Sequence, residues 1–514
     1  MTTSDDRTPV LIGVGQAAER PQDADYKALS PADLAGEAAR RALADARASG
    51  DLAGAIDTVC AIRQFEISTP GAKPPFGASN NFPRSVAQRI GARPRRAVLE
   101  ITGGQGPQRL VGEFCAAIAT GEAEAVLLVG SEAMSTVLHL QAKGEAPDWS
   151  ETVEGDLEDR GYGLDGMFTA SILKHRIRGA IPAYALFENA RRARLGESRE
   201  AYATAMGELF APFTEVAAKN PYAAAPQART AAELITVSER NRIVADPFTR
   251  MLVARDQVNQ AAAVVLTSVG MAKALGVPKE RWVFLHGEGD ANELTIMERP
   301  DISASPQSIA AGKLALDLAG KTIADMGMMD FYSCFPIAVF NMLDGLGIAA
   351  DDPRGLTLTG GLPYFGGAGN NYSMHAIAEM VAALRAKPGT YGFVGANGGM
   401  LSKYSAGIYS TEPADWSQPK ARRGKVPEAL VPGLELDTAQ GEGVVETYTI
   451  VPHRDGDVVV AIARLDGIGR RRFAANPEPG ETATLEATRA RDPIGRRISV
   501  RTDEQGFNRF RFVD

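Results

Sequence analysis

Short apolar runs alternate with amphipathic, alanine-rich stretches over the first 135 residues. Val10 to Val14 predicts a buried strand. Ser30-Pro31 predicts a helix start, since serine caps a first turn and proline there has no needed N–H, and the helical pattern runs to about Ala48. Ile56 to Ile62 and Ala97 to Ile101 predict further strands; a helix follows the cluster Gly103-Gly104-Gln105-Gly106 as far as Ala119, and Ala125 to Val129 is again a strand. This alternation predicts an α/β layered sheet.

A similar order returns later. Trp282 to Leu285 predicts a strand, Ser305-Pro306 a helix to about Ala319, and Asp330 to Cys334 a strand edge followed by a helix to about Leu346. Then come Thr359-Gly360-Gly361-Leu362, a helix from about Ser373 to Ala386, and a strand from Tyr391 to Val394. The local likeness of Ile56-Asp57-Thr58-Val59-Cys60-Ala61 to Met329-Asp330-Phe331-Tyr332-Ser333-Cys334 is the trace of a twofold duplication. Residues 140–250 are polar and helical in pattern, an insertion that either covers a site or pads the core. From about Trp416 the pattern changes to short strands, at Val444 to Val451, Val458 to Leu465, Thr482 to Ala487, Arg496 to Val500 and Phe507 to Val513, which predict a small β-barrel. Arg470-Arg471-Arg472 and Arg496-Arg497 read as solvated barrel surface ahead of a phosphate patch, because basic and acidic residues nearly balance there. The expected segments are 1–139 and 251–415 as two halves, 140–250 as the insertion, and 416–514 as the added β domain.

Composition narrows the classes. The 514 residues are 23% charged and 45% hydrophobic, with net charge −8, which argues against nucleic acid or an anionic membrane as the main partner but not against an anionic small ligand. Three cysteines, Cys60, Cys115 and Cys334, lack both disulfide density and metal-ligand spacing. The start Met1-Thr2-Thr3-Ser4-Asp5-Asp6 has no signal-peptide pattern, and no apolar run reaches the roughly 18 residues of a membrane span, so a cytoplasmic location is the default expectation. Gly13-Val14-Gly15 lacks the rest of a dinucleotide fingerprint.

The stretch Ala117 to Ser135, ending Gly130-Ser131-Glu132-Ala133-Met134-Ser135, resembles the thiolase superfamily, where a Gly-x-Glu-x-Met-Ser signature follows the nucleophile helix. Tyr332-Ser333-Cys334-Phe335 is similar to the His-Asp-Cys-Phe motif of sterol-carrier-type thiolases, Gly360-Gly361-Leu362 to their glycine turn, and Ala396-Asn397-Gly398-Gly399 to their last catalytic loop. The branch resembled is the thiolase-like proteins of type 1, which carry an added C-terminal β domain. The resemblance implies two βαβαβαββ halves in a five-layered α-β-α-β-α core, residues 140–250 as a loop domain that binds coenzyme A, and acyl-CoA as substrate or ligand with no permanently bound cofactor or metal. It leaves homodimer and monomer both open.

Carried over residue by residue, the resemblance implies a dismantled thiolase site. The nucleophile position falls at Gly104, which has no side chain to acylate. Cys115, eleven residues further on, and Cys60 read as small buried apolar residues. The first oxyanion hole loses its histidine at Gly367 and its asparagine at Ala338, and Ala396 stands where other thiolases have their second cysteine. The backbone N–H groups of Gly104 and Gly398 match the second oxyanion hole and need no side chain. Cys334 occupies the proton-transfer position, where a depressed pKa would suit it to acid–base work. Tyr332 resembles the thiolase-like steroid side-chain aldolases, which work with a separate oligonucleotide/oligosaccharide-binding-type β protein. Asn397 and His375 complete the candidate set.

Three readings follow. The first is an acyl-CoA-dependent enzyme of lipid metabolism, acetyl-CoA acetyltransferase-like in name, acting on a carbon–carbon bond beside a thioester by aldol or retro-aldol chemistry. The second is a non-catalytic acyl-CoA binding protein. The third, a scaffold or nucleic-acid role centred on the barrel, is disfavoured by the acidic net charge.

Overall fold

The computed structural model describes residues 5–467, 469 and 471–513. Of the features named above, Met1 to Ser4 and Arg470 lie outside the described residues. Two mixed sheets form the core. The first takes β1 (Pro9–Ala18), β2 (Thr58–Ala61), β3 (Arg96–Leu99), β4 (Ala125–Ala133), β5 (Glu158–Asp159) and β6 (Asn259–Ser268) in the order β5-β3-β2-β4-β6-β1. The second takes β7 (Phe284–Asn292), β8 (Met326–Phe331), β9 (Tyr391–Gly398), β10 (Lys403–Ser410) and β11 (Arg423–Lys425) in the order β8-β9-β10-β7-β11. The runs β2-β4-β6-β1 and β8-β9-β10-β7 have the same order and the same sequence of one parallel and two antiparallel pairings. The expected duplication is therefore present in the topology. The first sheet, however, extends past the expected break at residue 250, because β6 lies between β4 and β1.

Five layers result. Helix α1 (Pro31–Asp45) covers the first sheet from outside; α2 (Gly106–Thr120) contacts β6 and β10, one strand of each sheet. Helices α3 (Ala180–Leu195) and α4 (Arg199–Ala217) belong to the insertion. Helix α5 (Pro306–Ala319) covers the second sheet, with α6 (Pro336–Leu346) against it, and α7 (Tyr372–Ala386) joins α2 between the sheets. Ser30 caps α1 by accepting the Asp33 N–H at 3.1 Å, and Pro31 and Pro306 stand in the first turns as the sequence predicts. Helix-to-sheet spacing is set by matched glycines. A Cβ on Gly13 or Gly15 would run into the Ala42 and Ala38 carbonyls of α1; one on Gly287 or Gly289 would run into Ala315 and Ala311 of α5. Gly13-Val14-Gly15 is thus a packing motif, repeated in the second half.

The C-terminal region folds as five antiparallel strands in the order β14-β13-β12-β15-β16, from β12 (Gly441–Val451), β13 (Val458–Leu465), β14 (Arg472–Ala475), β15 (Arg497–Thr502) and β16 (Asn508–Phe512). Its outer strands meet at a parallel bridge, where Asn476 N–H reaches the Asn508 carbonyl and Phe510 N–H reaches the Asn476 carbonyl, both at 3.1 Å. Thr482 to Ala487, expected as a strand, is instead helix α8 (Ala483–Ala490). Thr484 and Thr488 lie one turn apart on its buried face, with the Thr488 hydroxyl on the Thr484 carbonyl at 2.7 Å, and this inward pair overrides the β preference of threonine.

Arg497 is exposed as expected, whereas Arg472 and Arg496 are not solvated surface. Arg472 is fully buried, pairs with Glu446, and donates to the carbonyls of Ile296, Met297 and Arg299 in the core. Arg496, also buried, stacks over Phe512 at 3.7 Å. These contacts predict that Arg472→Met, which strands three buried carbonyls, destabilises the chain by about 2–4 kcal/mol; the urea midpoint measures it.

Candidate active site

The strand β8 ends at Phe331 and α6 begins at Pro336, so Tyr332 to Phe335 form the turn between them. Gly104 lies two residues before α2, and Asn397 and Gly398 end β9. The fold brings these three pieces together. A Cβ on Gly104 would collide with the Tyr332 hydroxyl and stand 2.6 Å from the Asn397 carbonyl oxygen. The Tyr332 phenol therefore fills the space that a nucleophilic cysteine side chain at residue 104 would need. A Cβ on Gly398 would fall on the Gln105 side-chain oxygen and 3.1 Å from the Gly104 nitrogen, so Gly104 and Gly398 are close neighbours, as a two-donor oxyanion hole requires.

Cys334 sits beside Asn397, whose side-chain amide reaches its Sγ at 3.7 Å and donates to the Tyr184 hydroxyl at 2.8 Å. Tyr184 comes from α3 in the insertion; it also takes the Leu401 N–H and donates to the Gly399 carbonyl, each at 3.2 Å, and its ring stacks on Phe335 with centroids 4.3 Å apart. Burial pushes the Cys334 thiol up to about 12, while the Tyr184 hydroxyl and Asn397 amide pull it down. The expected depression is thus reversed, because desolvation outweighs both hydrogen bonds. Burial likewise holds Tyr332 above the ordinary phenol value, with Cys334 adding to it. Both groups are proton donors at neutral pH. The Tyr332 ring packs edge-on against Tyr372, whose hydroxyl meets Thr359 at 2.5 Å.

His375 is not part of this cluster. One turn into α7, it points to β1, where its Nδ1 meets the Gln16 side-chain oxygen at 2.7 Å, and its ring lies edge-on to Phe365. Burial takes it down to about 3, so it stays neutral. Gly367 donates its N–H to the Arg255 carbonyl at 2.7 Å, and Ala338 is buried in α6. Cys60 and Cys115 are fully buried, as apolar packing demands. Among the described residues no group of three or more His, Cys, Asp or Glu could hold a metal ion.

Tyr184 and two neighbours are what the sequence reading missed. Tyr184 sits in a helix whose buried face also carries Glu188, Asn189, Arg191 and Arg192; polar residues recurring through a buried helix were the available signal. Glu188 accepts the Ile337 N–H at the start of α6 at 2.8 Å and the Tyr202 hydroxyl at 2.6 Å. Arg255 lies beside the cluster, since the Ala254 N–H reaches the Cys334 carbonyl at 2.9 Å. Desolvation and then the charges of Arg250 and Arg229 hold Arg255 below its usual value, against Asp256, and among the described residues none of these three arginines has an ion pair.

This arrangement, with two layered halves, a Tyr-x-Cys turn and paired glycine donors, defines a thiolase-fold protein whose nucleophile position is closed. A monomeric SCP2-thiolase-like protein type 1 from Mycobacterium smegmatis is 44% identical over 99% of this chain and 100% of its own, with a TM-score of 0.83. The chain belongs to the thiolase-like protein type 1 family. Residues 423–505 match the family model of the thiolase-like protein type 1 additional C-terminal domain. The fold is shared with the Ltp2-ChsH2(DUF35) aldolase, 18% identical over 79% of this chain and 98% of that one at TM-score 0.58. It is shared also with human mitochondrial 3-ketoacyl-CoA thiolase, 18% identical over 79% and 99% at TM-score 0.53. No curated protein matches the chain.

Two outcomes follow. Gly104→Cys will not install a nucleophile: overpacking against Tyr332 costs about 1–3 kcal/mol, and the double variant Gly104→Cys/Tyr332→Ala recovers part of that in thermal unfolding. Burial lifts Glu188 up to about 7 from an ordinary 4.5, so between those values the native state keeps a proton the unfolded chain has lost. Stability therefore falls as pH rises across that window, and Glu188→Gln flattens this part of the urea-midpoint profile.

Proposed function

We propose that the chain acts on the carbon–carbon bond next to an acyl-CoA thioester without an acyl-enzyme, by aldol or retro-aldol chemistry. The observation that carries this is the Tyr332 phenol standing in the nucleophile's space beside the Gly104 and Gly398 N–H groups. In retro-aldol cleavage the Cα–Cβ pair moves onto the thioester enolate, where two fixed donors stabilise the oxygen. The β-hydroxyl gives its proton to solvent water as its carbon becomes a carbonyl, Cα takes a proton from Tyr332 or Cys334, and the anion left on that residue is reprotonated from solvent, so that no net proton is gained or lost. Arg255, next to the residue that bonds the Cys334 carbonyl, with the charges of Arg250 and Arg229 acting on it, supplies the charge a coenzyme A phosphate needs. The strand order of the C-terminal region, with a helix between its third and fourth strands, supports reading this domain as an oligonucleotide/oligosaccharide-binding-type barrel and as a fused counterpart of a partner protein. A cytoplasmic setting suits the reading.

One observation favours the second reading, a binding protein without turnover. With Cys334 at about 12 and Tyr332 raised, no group in the cluster is poised as the base that must take the β-hydroxyl proton. Calorimetry and turnover with a panel of β-hydroxyacyl-CoAs separate the two. The enzymatic reading expects binding that Arg255→Glu weakens at least about tenfold and turnover that Tyr332→Phe abolishes with binding intact. Binding with no turnover on any substrate leaves the second reading; no binding at all sinks both. Intact mass after acyl-CoA exposure should show no adduct, and one lost in Cys334→Ala would replace the aldol route with a covalent one.

A further inference from the structure

Gly103 and Gly104 carry four main-chain polar groups, and glycine leaves the direction of each one free unless something outside the pair fixes it. Three of the four are fixed. The Gly103 N–H donates to the Asn370 Oδ1 at 2.9 Å, the Gly103 carbonyl accepts the Gly106 N–H at 3.0 Å, and the Gly104 carbonyl accepts the Ser373 hydroxyl at 2.5 Å. The fourth, the Gly104 N–H, meets no acceptor among the described residues. A trans peptide points its N–H opposite to its carbonyl, so the bond from Gly106 to the Gly103 carbonyl turns the Gly104 N–H away from the start of α2.

Two of these three bonds come from one short segment, residues 370–373, at the entry to α7. Both side chains are buried, Asn370 at 2% exposure and Ser373 at 0%. Asn370 is itself held, since its amide donates to the Arg63 carbonyl at 2.6 Å and to the Ser68 hydroxyl at 3.0 Å. Ser373 is anchored as the second residue of α7. Each therefore carries the rigidity of its own surroundings to one end of the glycine pair.

We propose that Asn370 and Ser373 are positioning residues, bracing the two ends of the Gly103-Gly104 pair so that the Gly104 N–H faces the thioester oxygen beside Gly398. The role rests on the acyl-CoA reading of the same site. A donor already aimed needs no rearrangement when charge develops on the oxygen, so the brace contributes to rate and not to affinity.

The probe is 3-hydroxybutyryl-CoA carrying carbon-13 at its thioester carbonyl, followed by isotope-edited infrared difference spectroscopy with calorimetry alongside. The wild-type chain is expected to bind it with the carbonyl band displaced below its position in free solution. Ser373→Ala and Asn370→Ala are each expected to lose about half of that displacement while the dissociation constant changes less than about twofold. Where the probe turns over, kcat falls about tenfold with KM unchanged. Asn371→Ala is the control: it removes a comparably buried bond of the same segment, to the Gly130 carbonyl at 2.8 Å, so it lowers the thermal midpoint and leaves the band in place. Should Asn370→Ala lose its native near-ultraviolet spectrum, Ser373→Ala, which removes a single hydroxyl, carries the test. A displaced band that is unchanged in Ser373→Ala, or moved equally by Asn371→Ala, overturns the positioning role and leaves the acyl-CoA reading standing. A wild-type chain that does not bind the probe, or binds it with no displacement of the band, overturns that reading and the positioning role with it.

Discussion

The Glu188 carboxylate, buried in the middle of α3, holds the first turn of α6 through the Ile337 N–H and holds α4 through the Tyr202 hydroxyl. Its carboxyl oxygens satisfy one orphan backbone donor at the start of α6 and the phenol on α4. The rest of α3 extends the same bracing. Tyr184 reaches Asn397 and Leu401 in the last loop, Arg191 reaches Asp344 on α6, and Asn189 reaches the Tyr448 carbonyl of β12. Because the turn Tyr332 to Phe335 runs directly into α6, a shift of α3 would move the candidate site and the C-terminal domain together.

Gly104 and Tyr332 are likewise one feature seen from two elements. A side chain at 104 would evict the phenol, and the phenol can occupy its place only because 104 is glycine. The backbone of Gly104 and its neighbour Gly398 keeps its path through this exchange, because that path does not depend on a side chain at 104.

The alternation of strands and helices and the Ser30-Pro31 and Ser305-Pro306 starts were legible in the sequence, whereas Gly104 and Tyr332 were joined in one site only through the family resemblance and their close approach came from the fold. Alternating buried runs and cap residues are local signals, and motif order carried the family resemblance. The alanine-rich β6 and the glycine-containing β10 were not legible as strands, because neither has the β-branched density that marks one. His375 was misread because a helix-start histidine can face either way; only the packing of α7 on β1 decides it. The Cys334 thiol was misread for a similar reason, since motif position gives the neighbour but not the dryness of the turn. Gly13-Val14-Gly15 looked like a broken nucleotide motif until Gly287-Glu288-Gly289 was found in the same contact with the other outer helix.

Two short strands finish the core from outside its repeated halves. Glu158–Asp159, from the insertion, lies along β3, and Arg423–Lys425, from the C-terminal region, lies along β7. Each covers backbone groups that an open edge would offer to a neighbouring chain. Completion of both sheets is therefore a unimolecular event. The concentration of the protein does not enter the free energy of closing these edges, and a dilute chain completes the same core as a crowded one.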